Sequence, residues 1–102
     1  MVAKYQGHYH YNKPTVTNWK PDAIGVYYCG YPANNGGLNP LYIGKGTSEG
    51  GIRARLLSHL DDDYWPDVTH FGYCICSTLK EAENFEAQEI YRCKPKYNQQ
   101  GK

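Results

Sequence analysis

The sequence lacks any uninterrupted apolar segment of the length that a membrane-spanning helix requires. Such a helix needs about 20 consecutive apolar residues, and no run in the 102-residue chain approaches this length. Residues 1–11 also lack the apolar segment and the small-residue cleavage site of a secretory signal peptide. These absences argue against an integral membrane protein. We therefore expect a cytoplasmic protein with no membrane partner.

The spacing of a zinc site is missing as well. The four cysteines are Cys29, Cys74, Cys76 and Cys93. In a reducing cytoplasm they are expected to be free thiols. Cys74 and Cys76 alternate as in a strand, and no second cysteine or histidine pair completes a ligand set. His8 and His10 show the same strand-like alternation. A zinc-stabilised interaction domain is thus the weakest alternative, and it predicts stoichiometric zinc in the purified protein.

A strong excess of positive charge is also absent, because the formal net charge is only +1. The distribution along the chain is more informative. Residues 1–59 carry six basic and two acidic residues (+4), and residues 60–91 carry one basic and eight acidic residues (−7). Residues 92–102 carry four basic residues and no acidic one (+4). If the two basic segments fold together, they form a surface that suits phosphate. A mixed, solvated surface is the alternative interpretation.

Tyrosine, in contrast, is abundant, at 11 residues. Its ring is large and apolar while its hydroxyl needs a partner, so many of these side chains are expected to be half-buried or to line a cleft. Stacking on bases is a second use for them, and packing is the commoner one. The chain length allows one domain with one modest core. A hydrophobic fraction of 40% with two tryptophans argues against disorder.

The first half of the chain predicts a hairpin followed by a helix. Residues 23–31 and 41–45 are rich in β-branched and aromatic residues, which favour strands. Between them, residues 32–37 contain the asparagine and glycine of a turn. Residues 52–60 place apolar side chains at helical spacing. Residues 1–22 form a leader that is either irregular or an edge strand.

The second half predicts a third strand and a second helix. Residues 69–76 have strand composition, and Thr78 with Glu81 matches a capping box that opens a helix. Pro95 ends that helix, because the residue before a proline is disfavoured in the helical region. The predicted fold over residues 23–102 is therefore α+β, in the order β-β-α-β-α, with a three-stranded, largely antiparallel sheet flanked by helices.

One carboxylate of the last predicted helix conflicts with its apolar face. Glu86 falls on the same face as Ala82, Ile90 and Cys93. Burying an ionised carboxylate is costly unless a partner compensates its charge. A lysine or arginine in an ion pair, or a metal ion, would provide that compensation. A helix rotated so that Glu86 lies at the edge of the apolar stripe is the remaining alternative.

A cation and a titratable group share one face of the middle helix. Arg55 and His59 are four residues apart and therefore project from neighbouring turns. A guanidinium matches the geometry of phosphate with two parallel hydrogen bonds. Histidine exchanges a proton near neutral pH. The pair is suited to phosphate chemistry, although helices often carry such pairs on solvated faces.

Two tripeptides in the predicted hairpin complete a family pattern. Gly25-Val26-Tyr27 lies in the first strand and Tyr42-Ile43-Gly44 in the second. Lys45, the Arg55/His59 helix, Glu86 and the segment 95–98 follow in order. Throughout residues 24–98 the chain resembles the GIY-YIG nuclease family, with valine replacing isoleucine in the first motif. Residues 86–98 are similar to the end of the catalytic domain in the nucleotide-excision-repair incision subunit. The Arg55/His59 pair is more similar to the restriction and homing endonucleases of the family.

The resemblance implies an endonuclease that hydrolyses DNA phosphodiester bonds with one Mg²⁺ or Mn²⁺ ion, for which Glu86 is the ligand. Tyr42 would orient water or phosphate, and Arg55 would stabilise the developing negative charge. Either Tyr27 or His59 would take the proton of the attacking water. A phenol has a pKa of about 10 and would need that pKa lowered by about two to three units, by nearby cations, whereas histidine needs no such shift. In the family this histidine is also described as holding the first tyrosine.

Substrate binding is implied for Lys45, Arg53, Lys96 and Asn98, with support of the active site as the other role for Asn98. The connection from Lys45 to Arg55 is longer and richer in glycine than is usual in the family. Many relatives add a separate DNA-binding domain, so recognition here is expected from the leader, the tail or a homodimer. The alternative function is a catalytically silent DNA-binding module of the same fold.

Overall fold

The computed structural model describes residues 2–18, 24–46, 51–62, 65 and 67–99. One antiparallel sheet forms the centre, with the strand order β1-β4-β2-β3. The strands are β1 (Gln6–His10), β2 (Gly25–Pro32), β3 (Leu38–Gly46) and β4 (His70–Ile75). The helices are α1 (Lys13–Thr17), α2 (Gly51–Asp62), α3 (Leu79–Cys93) and α4 (Lys96–Gln99). In the part of the chain described, no helix has the length and apolar character that spanning a bilayer requires.

The α+β class and the antiparallel sheet are as predicted, but the prediction of three strands was wrong. The sheet has four strands, because the leader contributes β1, which pairs antiparallel with β4. Of the two forms expected for the leader, the edge strand is the one observed. Four of the five residues of β1 are exposed, so the strand-like alternation of His8 and His10 is not accompanied by the buried apolar face that would have predicted a strand clearly.

The predicted hairpin is formed by β2 and β3, with Tyr27 opposite Gly44 and Tyr28 opposite Ile43. The second strand begins at Leu38, earlier than expected, and the register shifts between Cys29 and Gly30. Such a bulge accommodates one extra residue on one strand of an antiparallel pair. Ala23, the expected start of the first strand, lies outside the described residues.

Two apolar clusters cover the two faces of the sheet. Because side chains alternate along a strand, Tyr27 and Cys29 of β2 join the cluster under α1 and α2, while Val26 and Tyr28 join the cluster under α3. The first cluster contains Val16, Tyr27, Cys29, Ile52, Leu56, Phe71 and Tyr73. The second contains Val26, Tyr28, Ile43, Cys74, Cys76 and Ala82. A sheet buried on both faces explains how a chain of this size forms a core.

The boundaries of α3 follow the predicted signals. Thr78 is the N-cap, and its side chain accepts a hydrogen bond from the Glu81 backbone N–H at 3.1 Å. The carboxylate of Glu81 accepts in return from the backbone N–H of Ser77, at 2.8 Å. At the other end Lys94 adopts the left-handed conformation, with φ 46°. The helix stops there because Pro95 follows. The segment after Pro95 forms α4, a short helix that the sequence did not predict.

Candidate active site

Tyr27 lies at the centre of the candidate site. It is fully buried in β2, between Gly44 of β3 and Tyr73 of β4. Its hydroxyl lies 2.9 Å from Nε2 of His59 on α2, which is hydrogen-bonding distance. The fold therefore joins the tyrosine of the first motif to the histidine of the middle helix, 32 residues later in the chain.

Gly44, in the second motif, leaves the space that the Tyr27 side chain needs. A Cβ atom built on Gly44 would lie 2.5 Å from the Tyr27 hydroxyl oxygen and 2.6 Å from its Cζ. The same atom would lie 2.9 Å from Cε2 of Tyr42. Real side chains do not approach this closely. Glycine at this position is thus required by the two motif tyrosines and not by the hairpin turn.

The substitution Gly44→Ala is expected to destabilise the protein by about 1–3 kcal/mol, because the extra methyl group forces buried rings out of their rotamers. Urea unfolding at neutral pH measures the effect. Gly37→Ala, in the same hairpin, is the matched control, since its Cβ would meet only Asn35 Oδ1, at 3.2 Å. Equal losses of stability in the two variants would contradict this account of Gly44.

Arg55 lies close enough to Tyr27 and Tyr42 for the charges of the three side chains to influence one another. It lies one helical turn before His59 on α2, on the same face. The charge of Tyr27 in its ionised form is the main cause that raises the pKa of Arg55, and hydrogen bonding of the guanidinium to the oxygens of Tyr27 and Tyr42 acts in the same direction. His59 therefore contacts Tyr27 directly, and Arg55 lies on the same helical face in the neighbourhood of both motif tyrosines.

The pKa of Tyr27 moves in the direction opposite to the one that a phenolate base would need. Burial is the largest cause and raises this pKa well above the ordinary value of a phenol. The neighbouring Tyr42 raises it further, and Arg55 lowers it by less than these effects combined. The protein alone thus keeps Tyr27 protonated at neutral pH.

Trp65, which the sequence did not single out, and Tyr97, from the segment 95–98 of the family pattern, complete this side of the site. The Trp65 ring stacks on Tyr42 with centroids 4.7 Å apart, and it lies 4.3 Å from the ring of His59. Tyr97 stacks on Trp65 at 6.2 Å. We call Tyr42, His59, Trp65 and Tyr97 the aromatic ladder. The abundance of tyrosine was the only sequence signal for such a cluster, since Trp65 lies in a connection between α2 and β4 that carries no motif.

Glu86 lies beyond β3, on the other side of this edge strand. Its nearer carboxylate oxygen is 3.4 Å from Nζ of Lys45, and its side chain is 19% exposed. Lys45 and Tyr42 point to opposite faces, because they are separated by an odd number of positions in β3. The expected metal ligand, Glu86, and the Tyr27–His59 pair therefore lie on opposite faces of the edge strand. Residues 42–45 of β3 lie between them. The ion pair, one of the alternatives for Glu86, is present in the structure.

The carboxylate that is buried in α3 is Glu89 and not Glu86. Glu89 is 9% exposed, whereas Glu86 lies at the edge of the buried stripe. Glu86 therefore lies nearer the edge of the buried stripe than Glu89 does, as the rotated-helix alternative describes, and its ion pair with Lys45 is present as well. The hydroxyl of Tyr28 donates to Oε1 of Glu89 at 2.8 Å, and Arg92 donates to both carboxylate oxygens, at 2.7 and 2.9 Å. The sequence contains this pair at i, i+3 spacing, but the expected apolar face did not include it.

The stability of the protein is expected to fall in acid because of Glu89. Arg92 is the main cause that holds the pKa of Glu89 below its usual range. A lowered folded-state pKa stabilises the protein above the unfolded value of about 4.3, and this stabilisation is lost as pH falls through the folded-state pKa. The urea midpoints of wild type and Glu89→Gln should therefore converge as pH is lowered from about 7 to about 3. Glu83→Gln, at an exposed position of α3, is the control, and a constant gap between wild type and Glu89→Gln would contradict the prediction.

Asn98 fastens α4 to the edge of the sheet. Its Oδ1 accepts from the backbone N–H of Ile43 at 2.7 Å, and its Nδ2 donates to the Ile43 carbonyl at 2.9 Å. Edge strands leave such groups unpaired unless something covers them. Ile43 lies between Tyr42 and Gly44 in the second motif. Of the two roles that were open for Asn98, this geometry is that of a supporting residue.

The structure places the other two expected substrate-binding cations in contacts within the protein. Nη1 of Arg53 donates to the carbonyl of Thr17, at 3.1 Å, at the end of α1. Two residues along a helix are separated by roughly 200°, so Arg53 does not share the face of Arg55. Nζ of Lys96 lies 3.5 Å from Oδ2 of Asp67, and both side chains are about half exposed. Much of the connection between Lys45 and Arg55 lies outside the described residues.

The residues at the edge of β3 suit one hard cation bound weakly. Among the described residues, no group of three or more His, Cys, Asp or Glu side chains is arranged to hold a metal ion. Glu86 offers one partly exposed carboxylate, and Mg²⁺ is commonly held by one or two carboxylates with water and substrate phosphate completing its shell. Glu86 is thus the side chain that would hold such an ion, with water and phosphate as its other ligands.

Comparisons with protein-family models, with curated proteins and with solved structures give no match.

Proposed function

We propose that this protein is a divalent-metal-dependent endonuclease of the GIY-YIG type that hydrolyses phosphodiester bonds in DNA. The contact between the Tyr27 hydroxyl and His59 Nε2, with Arg55 on the same face of α2, is the observation that supports the proposal most. Together these side chains offer a path for a proton and a cation that matches phosphate. If Tyr27, His59 and Arg55 served only to stabilise the fold, a proton-transfer pair and a phosphate-binding cation would not need to lie together.

In this proposal His59 is the general base and Tyr27 relays the proton. The attacking water gives a proton to the Tyr27 oxygen while the phenolic proton moves to Nε2 of His59. A free phenolate never accumulates, which is consistent with the raised pKa of Tyr27. The scheme requires the histidine tautomer with its hydrogen on Nδ1. An ordinary imidazole, with a pKa of about 6.5, is a competent base near neutral pH.

The charge of the substrate is balanced from two sides of β3. Arg55 binds the scissile phosphate and stabilises the negative charge that develops on its oxygens. Glu86 holds the divalent ion, which when bound polarises the phosphate as a Lewis acid. Lys45 neutralises Glu86 in the absence of the ion. Water forms the new bond to phosphorus, the bond to the leaving oxygen breaks, this oxygen takes a proton from solvent, and the strand is nicked.

Metal removal tests the proposal directly. Supercoiled plasmid, branched DNA and single-stranded DNA are incubated with the protein and Mg²⁺ or Mn²⁺, and in parallel with EDTA. We expect nicking in the presence of either metal and none in EDTA, with recovery when metal is added back. Cleavage that persists in EDTA would contradict the metal requirement. No cleavage of any substrate with either metal would contradict the nuclease proposal.

A catalytically silent DNA-binding module is the second candidate. The Lys45–Glu86 ion pair favours it, because a carboxylate already paired with lysine needs no metal. Binding of DNA without cleavage in the same assay would support this candidate.

One active site cuts one strand, so breaks in both strands of a duplex require a homodimer or two successive cuts.

The four cysteines are free thiols in the structure, which suits the reducing cytoplasm that we propose as the site of action.

A further inference from the structure

Apart from Arg55, three cations in the described part of the candidate site make contacts within the protein. Lys45 lies 3.4 Å from Glu86, and Lys96 lies 3.5 Å from Asp67. Arg53 donates to the Thr17 carbonyl. Tight binding of duplex DNA depends mainly on lysines and arginines that neutralise several phosphates and release their counterions. Because Lys45, Arg53 and Lys96 make these contacts and the net charge of the chain is only +1, the site gains little affinity for duplex DNA from phosphate neutralisation.

The aromatic ladder offers a different source of affinity at the same place. Trp65 is partly exposed, and its indole contacts Tyr42 of the second motif and His59 of the proton-transfer pair. Tyr97 extends the stack from α4. Bases stack on aromatic side chains without regard to sequence, and each stacked base strengthens binding by about tenfold to a hundredfold. Base pairs within a continuous duplex are stacked on each other, so an aromatic ring reaches the face of a base only where the duplex is interrupted.

We propose that the substrate of this site is DNA with unpaired bases, either single-stranded or at a flap, and that Trp65 stacks on the base beside the scissile phosphate. The part of this inference that concerns the scissile phosphate rests on the proposed nuclease function. The binding of unpaired bases does not depend on it. Trp65 recognises the unpaired base, while Arg55 contacts the phosphate. A packing role for Trp65 predicts no preference between single strands and duplexes.

Binding in EDTA tests the inference without cleavage. The protein carries Trp19→Phe, so that Trp65 is the remaining tryptophan. The probes are a short single-stranded oligonucleotide, the matching blunt duplex, and that duplex with a single-stranded flap. We expect the single strand and the flap to bind at least about tenfold more tightly than the duplex, and to quench the indole fluorescence. The dependence of log Kd on log salt should have a shallow slope, corresponding to about one or two phosphates.

Variants of Trp65 separate recognition from folding. Trp65→Leu should weaken single-strand binding about tenfold to a hundredfold, and Trp65→Phe should retain part of it. Tyr31→Leu, which removes an exposed ring at the far end of β2, should leave binding unchanged. Urea unfolding checks that each variant is folded, and the Phe variant serves if the Leu variant is not.

Preference for the duplex, a steep salt dependence, no binding of any probe, or unchanged binding by Trp65→Leu would each overturn the inference. Single-strand binding through Trp65 without cleavage under any metal would support it while refuting the nuclease proposal. If the protein cleaves DNA but binds the duplex equally well with and without the Trp65 ring, the nuclease proposal is supported and the inference about Trp65 is refuted.

Discussion

Replacing Glu86 with glutamine is expected to lower the rate of metal-dependent DNA cleavage by about a thousandfold or more. The amide keeps the size of the side chain but removes the negative charge that holds the ion. A bound metal ion contributes several kcal/mol of charge stabilisation in the transition state, and about 4 kcal/mol corresponds to a thousandfold in rate. Measured at increasing Mn²⁺, the variant should also need a higher metal concentration for half-maximal cleavage.

Two controls separate the metal role of Glu86 from its ion pair. Glu83→Gln removes an exposed carboxylate one turn earlier on α3 and should leave cleavage unchanged. Lys45→Met removes the ion-pair partner but keeps the carboxylate, so the metal concentration for half-maximal cleavage should not rise. If Glu86→Gln cleaves like wild type, Glu86 is not the metal ligand. If Lys45→Met and Glu86→Gln raise the required metal concentration equally, the ion pair and not the charge of Glu86 is responsible.

Local signals were sufficient to predict much of the fold from the sequence. The β2–β3 hairpin follows from strand composition on both sides of an asparagine- and glycine-rich turn, and α3 begins at Thr78 and ends before Pro95 for reasons of capping and sterics. β1 was missed as a definite strand because its stability comes from pairing with β4 and not from an apolar face of its own. Pairing of this kind depends on tertiary structure, which periodicity does not record.

The candidate site shows the same division between local and tertiary information. Spacing placed Arg55 and His59 on one helical face, and the fold brings them to Tyr27. The buried carboxylate was assigned to Glu86 instead of Glu89. A helix with few strongly apolar residues does not reveal from its sequence which of two adjacent faces is buried. The direction of the Tyr27 pKa was also not predictable, since burial is its main cause. Trp65 comes to the site through a connection without a motif.

Substitution of either member of the Tyr27–His59 pair is the second change with a large expected effect. His59→Ala should lower kcat by about 10²- to 10⁴-fold, the usual contribution of a general base. Tyr27→Phe should lower kcat to a similar degree, because it removes the relay oxygen while keeping the buried ring. Tyr73→Phe is the matched control, since it removes a hydroxyl from the cross-strand neighbour of Tyr27 and should leave the rate within a few-fold of wild type.

The pH dependence of cleavage identifies which member of the pair is the base. A base acts when it is deprotonated, so the wild-type rate should rise with pH and reach a plateau once His59 is deprotonated. If Tyr27 were the base, its pKa, raised by burial, would make the rate climb without a plateau to about pH 10, where phenols ionise. His59→Ala should abolish the rise near neutral pH, and Tyr27→Phe should keep it at a lower rate, because His59 then accepts the proton from water over a longer distance. A rise that survives in His59→Ala but disappears in Tyr27→Phe would assign the base to Tyr27 and overturn the relay.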